Sequence, residues 1–239
     1  MSAAENLLQV ESLGVQVGGA PVLHDVSFAV HPRVITAVAG VDGAGKTTLL
    51  KALSGLVRPV AGRILLAGEE VTHLAAWDLV ERGLVYVPEG MRVFPRMSVR
   101  ENLEVGAYRH REHLARGLAL VLDIFPELQE KMAQPAGELS GGQQRMVTLG
   151  RGLMGAPRLL LLDEPFMGLS PKLVIRFCDS FRRLAQAGIT LLIAGQDIRR
   201  VLNVAQEAFL LEEGTITLRG TGLDFLKDRH VVDVLFGGR

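Results

Sequence analysis

Gly40-Val41-Asp42-Gly43-Ala44-Gly45-Lys46-Thr47-Thr48 is the stretch from which the rest of this chain can be read. It fits the pattern G-x-x-x-x-G-K-[ST], and its flanks agree with its letters. Val34-Ile35-Thr36-Ala37-Val38-Ala39 leads in as an apolar run of strand length. Lys46 to Leu56 follows with Leu49, Leu50, Leu53 and Leu56 at helical spacing. Glycines let successive backbone N–H groups turn inward around an anion, and the following helix presents its positive end to the same charge. Lys46 is then placed to bridge β- and γ-phosphates, and the Thr47 hydroxyl to ligate Mg²⁺. The expected ligand is a nucleoside triphosphate.

The bulk numbers narrow what can surround such a site. With 239 residues the chain can form one large domain or two small ones. No apolar run approaches the length of a membrane span; the longest, near Leu159–Leu162 and Ile189–Ala194, are of strand length. Met1 to Asn6 lacks a basic region followed by an apolar one, so neither a secretion signal nor a covalent membrane anchor is expected. Charge balances at 26 basic against 26 acidic residues, which removes any electrostatic case for nucleic acid. The single cysteine, Cys178, cannot form an internal disulfide, and its apolar helical setting reads as core. A cytoplasmic protein fits, free or peripheral to a membrane.

Outward from the phosphate loop, the organisation is α/β. Leu7 to Val30 is strand-rich with a turn at Gly18-Gly19, and Arg63–Ala67 and Leu84–Val87 are further strands. From Ser98 to Met154 the pattern is helical, with Ser98-Val99-Arg100-Glu101 as a capping box and helices over 114–125 and 142–154. Strands return at Leu159–Leu162, Thr190–Ala194, Ala208–Leu211 and Thr215–Leu218. The expected architecture is a single domain: a parallel-sheet nucleotide-binding core over about 1–93 and 158–239, antiparallel strands at its front, and a helical subdomain over about 94–157.

Two later motifs give the site its chemistry. Leu159-Leu160-Leu161-Leu162-Asp163-Glu164 is a buried strand delivering two carboxylates to the sheet edge where phosphates bind. Asp163 suits the Mg²⁺ shell, and Glu164 suits a base that polarises the attacking water. Leu139-Ser140-Gly141-Gly142-Gln143-Gln144-Arg145 offers a second anion nest at a helix start.

That last segment resembles the signature of ABC ATPases, and the resemblance covers nearly the whole chain. It implies ATP and Mg²⁺ as ligands, with Ser140, Gly141 and Gly142 meeting the γ-phosphate bound by an opposing cassette in a head-to-tail dimer. Val87-Pro88-Glu89-Gly90, Arg92-Val93-Phe94-Pro95, Ser98 and Glu101-Asn102-Leu103, with the tail from Gly220 to Gly238, are similar to the second, shorter ATP-binding subunit of branched-chain amino acid importers. That subunit pairs with a different ATPase subunit beneath two integral-membrane permeases, at the cytoplasmic face of the inner membrane. The resemblance therefore implies a heterodimer first, with a homodimer open. It places Arg92, Arg96 and Arg100 toward the permease, where solvated surface is the alternative.

Generic cassettes carry Gln at the Glu89 position and His at the Gln196 position, whereas the branched-chain subunit commonly carries Glu and Gln. Glu89 brings a carboxylate to Mg²⁺, which should tighten the metal and damp hydrolysis. Gln196 can donate to the γ-phosphate but never becomes cationic. Val17 stands where an aromatic ring normally stacks on adenine, Asp42 places a carboxylate inside the phosphate loop, and Gly195 replaces an acid. His110-Arg111-Glu112-His113 reads as solvated surface, because no third metal ligand is evident. Two functions stay open: an ATP-hydrolysing motor subunit, with Glu164 and Gln196 as its catalytic residues, and a nucleotide-gated clamp with little hydrolysis of its own. The resemblance implies import of branched-chain or related amino acids, with another small polar substrate as the alternative.

Overall fold

The computed structural model describes residues 6–90, 93–109, 111–195 and 199–237. Strands β1 (Leu8–Val17) and β2 (Ala20–Val30) form a hairpin, and β3 (Ile35–Ala39) leads through the phosphate loop into α1 (Lys46–Leu53). Next come β4 (Ala61–Leu66), β5 (Glu69–Glu70), α2 (Ala76–Glu81) and β6 (Leu84–Val87). Helices α3 (Val99–Gly106), α4 (Leu114–Ile124) and α5 (Gly141–Leu153), joined by short 3₁₀ turns, separate β6 from β7 (Leu159–Asp163). The remainder alternates: α6 (Pro171–Gln186), β8 (Thr190–Gly195), α7 (Arg199–Leu202), β9 (Glu207–Glu212), β10 (Thr215–Gly220), α8 (Gly222–Phe225) and α9 (Arg229–Phe236).

Local chemistry explains most of these boundaries. Gly18 and Gly19, at φ 60° and 84°, make the doubly left-handed two-residue turn whose twist suits a hairpin. Ser98 accepts from the Glu101 amide while the Glu101 carboxylate accepts from the Ser98 amide, the capping box expected at the start of α3. The apolar spacing predicts a helix as far as Leu56, but α1 stops at Leu53. Gly55 turns left-handed at φ 72°, and the amides of Leu56 and Gly55 reach back to the carbonyls of Lys51 and Ala52. That cap closes the helix and leaves Leu56 exposed.

The first sheet runs β2-β1-β4-β5 and is antiparallel. The second runs β10-β9-β3-β8-β7-β6, parallel from β9 to β6, with β10 antiparallel at its edge. Because side chains alternate along a strand, the parallel sheet buries both faces. Ile35, Ala37, Leu160, Leu162, Leu191 and Ile193 share one core with α3, α5 and α6. Val38, Leu159, Leu161, Leu192 and Ala194 share the other with α1 and the antiparallel sheet. Parallel register aligns the carboxyl ends of four strands: Ala39 lies opposite Gly195, Asp163 opposite Ala194, and Val87 opposite Leu162. The segments leaving those ends build the site.

Candidate functional site

Two glycines shape the loop between β3 and α1. A Cβ at Gly40 would come within 2.4 Å of the Leu211 carbonyl oxygen. Gly45, the N-cap of α1 at φ 105°, has room for neither a side chain nor an ordinary backbone conformation, since a Cβ would lie 2.8 Å from Leu23 Cδ2. The loop therefore wraps tightly around Lys46, which is 5% exposed. Its Nζ donates to the carbonyls of Gly40 at 2.8 Å and Val41 at 3.0 Å, and lies 3.7 Å from Glu164 Oε1. The ammonium is thus held over the loop, with the Glu164 carboxylate beside it.

Asp163, fully buried at the end of β7, receives two hydroxyls. Thr47 Oγ1 donates to its Oδ1 at 3.2 Å and Tyr86 Oη donates to its Oδ2 at 2.9 Å. Burial, then the Asp163 charge, raises the Tyr86 hydroxyl well above the ordinary tyrosine range, so it remains a donor at any physiological pH. Glu164 follows in left-handed backbone, at φ 44°, with its amide bonded to the Ala194 carbonyl at 2.9 Å. A non-glycine residue in that region is strained, and the turn directs Glu164 toward Lys46. A Cβ on Gly195 would lie 3.2 Å from Glu164 Oε2, so the missing side chain leaves space for that carboxylate.

Asp42, Gly43, Gly45, Lys46, Thr47, Thr48, Glu89 and Glu164 come together around one cavity of about 650 Å³, which Val22 and Phe166 to Leu169 complete. Gly40 and Val41 serve it through their carbonyls, and Ala44 is buried behind it. The tight glycine turn, the lysine and the oxygens of Thr47 and Glu89 on the cavity wall fit a polyphosphate carrying Mg²⁺, with Asp163 not itself on the wall but fully buried and hydrogen-bonded to Thr47. Ser140, Gly141 and Gly142 are not among the lining residues. Ser140 caps α5 in a second capping box with Gln143. Val17, 49% exposed at the end of β1, does not line the cavity either. Gln196, Arg92 and His110 lie outside the described residues. Among the described residues no group of three or more His, Cys, Asp or Glu could hold a metal ion by itself. No described helix is long and apolar enough to cross a membrane.

The motifs do not reveal Tyr86, Phe166–Leu169 or the role of Arg145, whose guanidinium reaches the loop after Glu164. Tyr86 does carry one signal: it shares the strand that runs into Glu89.

Residues 23–167 match the ABC transporter family. The chain is 36% identical to the high-affinity branched-chain amino acid transport ATP-binding protein BraG of Pseudomonas aeruginosa, over 97% of this chain and all of that one. It is 32% identical to the lipopolysaccharide export system ATP-binding protein LptB of Escherichia coli, over 96% and 97%. Among solved structures, the ADP conformation of MJ1267, an ATP-binding cassette of an ABC transporter, superposes with a TM-score of 0.88 at 26% identity, covering 97% of this chain and 99% of that one. With a cradle for phosphate, paired carboxylates at the sheet edge and relatives along its whole length, the chain belongs to the ABC transporter family, as one of its ATP-hydrolysing cassettes.

Proposed function

We propose that this chain is the ATP-binding and ATP-hydrolysing subunit of an importer for branched-chain or related amino acids. The observation that carries the reading is similarity to BraG along the full length of both chains. In this reading Lys46 and the loop amides from Gly40 to Thr48 hold the β- and γ-phosphates. Thr47, Asp163 and Glu89 supply oxygens for Mg²⁺, which when bound neutralises phosphate charge. Glu164 accepts the proton of the attacking water, and Gln196 donates to the γ-phosphate. Ser140, Gly141 and Gly142 contact the nucleotide of an opposing cassette, a different ATPase subunit before a second copy of this one. Two permeases complete the assembly at the cytoplasmic face of the inner membrane. The single domain divides into the core, about 1–93 and 158–239, and the helical subdomain, about 94–157.

Export of a lipid-linked saccharide is the second reading, favoured by the LptB similarity over 96% of the chain. The deciding experiment is Mg-ATP turnover by the purified chain beside Glu164→Gln, then by the chain co-expressed with candidate amino-acid permeases from the same organism. Turnover abolished by Glu164→Gln and stimulated by leucine with its binding protein supports the importer. Stimulation by lipopolysaccharide and not by leucine refutes it. ATP binding without turnover, alone or in the assembly, would make the chain a clamp.

A further inference from the structure

We propose that Arg145 is a positioning residue that fastens the Glu164 loop to the helix bearing the signature segment, so that α5 and Glu164 move as one body. The inference rests on the ATPase reading and adds a route by which the two nucleotide sites of a dimer sense each other.

The observations concern one side chain and one loop. Arg145 lies in the second turn of α5, and its guanidinium spans the chain that leaves β7. Nη1 donates to the Pro165 carbonyl at 3.0 Å and the Glu164 carbonyl at 3.4 Å, while Nη2 donates to the Met167 carbonyl. These hydrogen-bond partners are backbone oxygens 19 to 22 residues away, not a neighbouring carboxylate. A planar guanidinium carries five donors in a fixed fork, so it can hold successive carbonyls in one geometry; lysine, a single point donor, cannot. Burial lowers the Arg145 pKa, so the loop carbonyls are its compensation for lost water.

The loop held in this way is functionally exposed to small shifts. Glu164 sits at φ 44°, a strained conformation that persists only where the surroundings hold it. Phe166, Met167, Gly168 and Leu169, immediately downstream, line the nucleotide cavity. A second close contact ties the same helix to the far end of the loop: a Cβ at Gly142 would lie 2.5 Å from Leu173 Cδ1, on α6. Helix α5 is therefore hydrogen-bonded to the start of the segment between Glu164 and α6 and packed closely against its end. Its other end is Ser140, five residues upstream, about 7.5 Å along a rigid helix at 1.5 Å per residue. In the head-to-tail arrangement Ser140 contacts the partner cassette's nucleotide. Engagement there shifts α5, and the Arg145 fork transmits the shift to the Glu164 carbonyl.

The test compares Arg145→Gln and Arg145→Lys with the wild type. Steady-state ATPase kinetics are paired with titration of a fluorescent ATP analogue under conditions where the chain is monomeric. The positioning role predicts kcat down about tenfold or more in Arg145→Gln, since a misplacement of about 1 Å caused away from the chemistry can cost roughly a hundredfold. The ATP dependence should become less cooperative, nucleotide affinity should stay within about twofold, and Arg145→Lys should recover part of kcat. Retained affinity and an unchanged melting profile would exclude simple misfolding. A wild-type kcat in Arg145→Gln overturns the inference, as does equal loss of affinity and turnover. Hydrogen exchange over residues 164–170 of the Glu164→Gln protein, with and without Mg-ATP, is read independently of turnover. ATP-induced protection that disappears on adding Arg145→Gln supports the coupling even if the isolated wild type hydrolyses nothing, a result that would count only against the ATPase reading. Unchanged protection overturns it.

Discussion

Replacing Tyr86 with Phe deletes one oxygen and leaves the ring in place, so the consequence can be worked from a single contact. That hydroxyl donates at 2.9 Å to Oδ2 of a carboxylate with no solvent exposure. A hydrogen bond to a charged group contributes about 1.5–3 kcal/mol, and a buried acceptor deprived of its donor sits at the upper part of that range. Part of the loss is offset because the half-buried hydroxyl no longer needs desolvating, which leaves about 2 kcal/mol. For a chain of this size each kcal/mol shifts Tm by roughly 2–4 °C, so Tyr86→Phe should lower Tm by about 4–8 °C. The same bond orients the carboxylate we propose as an Mg²⁺ ligand, and loss of such a contact should weaken metal binding about tenfold or more. Calorimetry of the nucleotide-free protein measures the first effect; the Mg²⁺ dependence of labelled-ATP binding measures the second. The pH dependence has a defined sign. Burial and the Asp163 charge raise the Tyr86 pKa in the folded state, so the native protein keeps a proton that the unfolded chain releases near pH 10. The hydroxyl's contribution is full below about pH 10 and declines as pH rises further, so the gap between wild type and Tyr86→Phe should narrow there. A variant whose Tm stays within about 1 °C of wild type, with unaltered Mg²⁺ dependence, would refute the argument.

Gly195→Ala places a methyl 3.2 Å from Glu164 Oε2, so the carboxylate must move by a few tenths of an ångström; kcat should fall several-fold with ATP affinity unchanged, and equal kcat would show that Glu164 has slack. Asp42 is exposed and lines the cavity, so Asp42→Asn removes a repulsion of about 1 kcal/mol at water-like dielectric and should tighten ATP roughly fivefold at low salt, less at high salt. No tightening in a fluorescence titration would place that carboxylate away from the phosphates. Burial pushes the Cys178 thiol up to about 11, so native protein should resist iodoacetamide at pH 8 and react on unfolding. Because that pKa is raised from 9.0, the associated stability is complete below pH 9 and is lost as pH climbs through 11. Rapid native alkylation would contradict the burial.

How much was legible in advance depended on how local each cause was. The phosphate loop, the Ser98 capping box, the Gly18-Gly19 turn and the strand ending in Asp163 were readable because each is dictated by its own few residues: a missing Cβ, a side-chain oxygen within reach of an amide, an apolar run of fixed length. The end of α1 is the exception: its stop at Gly55 is equally local, but apolar spacing that continues to Leu56 masks it. The signature segment identified the family from its letters alone. The tertiary structure decided the pairings across the sheet edge. Tyr86 meets Asp163 across 77 residues, Gly195 opens space beside Glu164, and Arg145 spans the loop that follows. The first two exist only where parallel register brings the ends of β6, β7 and β8 side by side, and the third only where α5 packs against the loop leaving β7. The sequence by itself named the atoms proposed for phosphate and metal, because each motif is a few adjacent residues; the packing of sheet and helices decided which other atoms surround them, because those lie far apart along the chain.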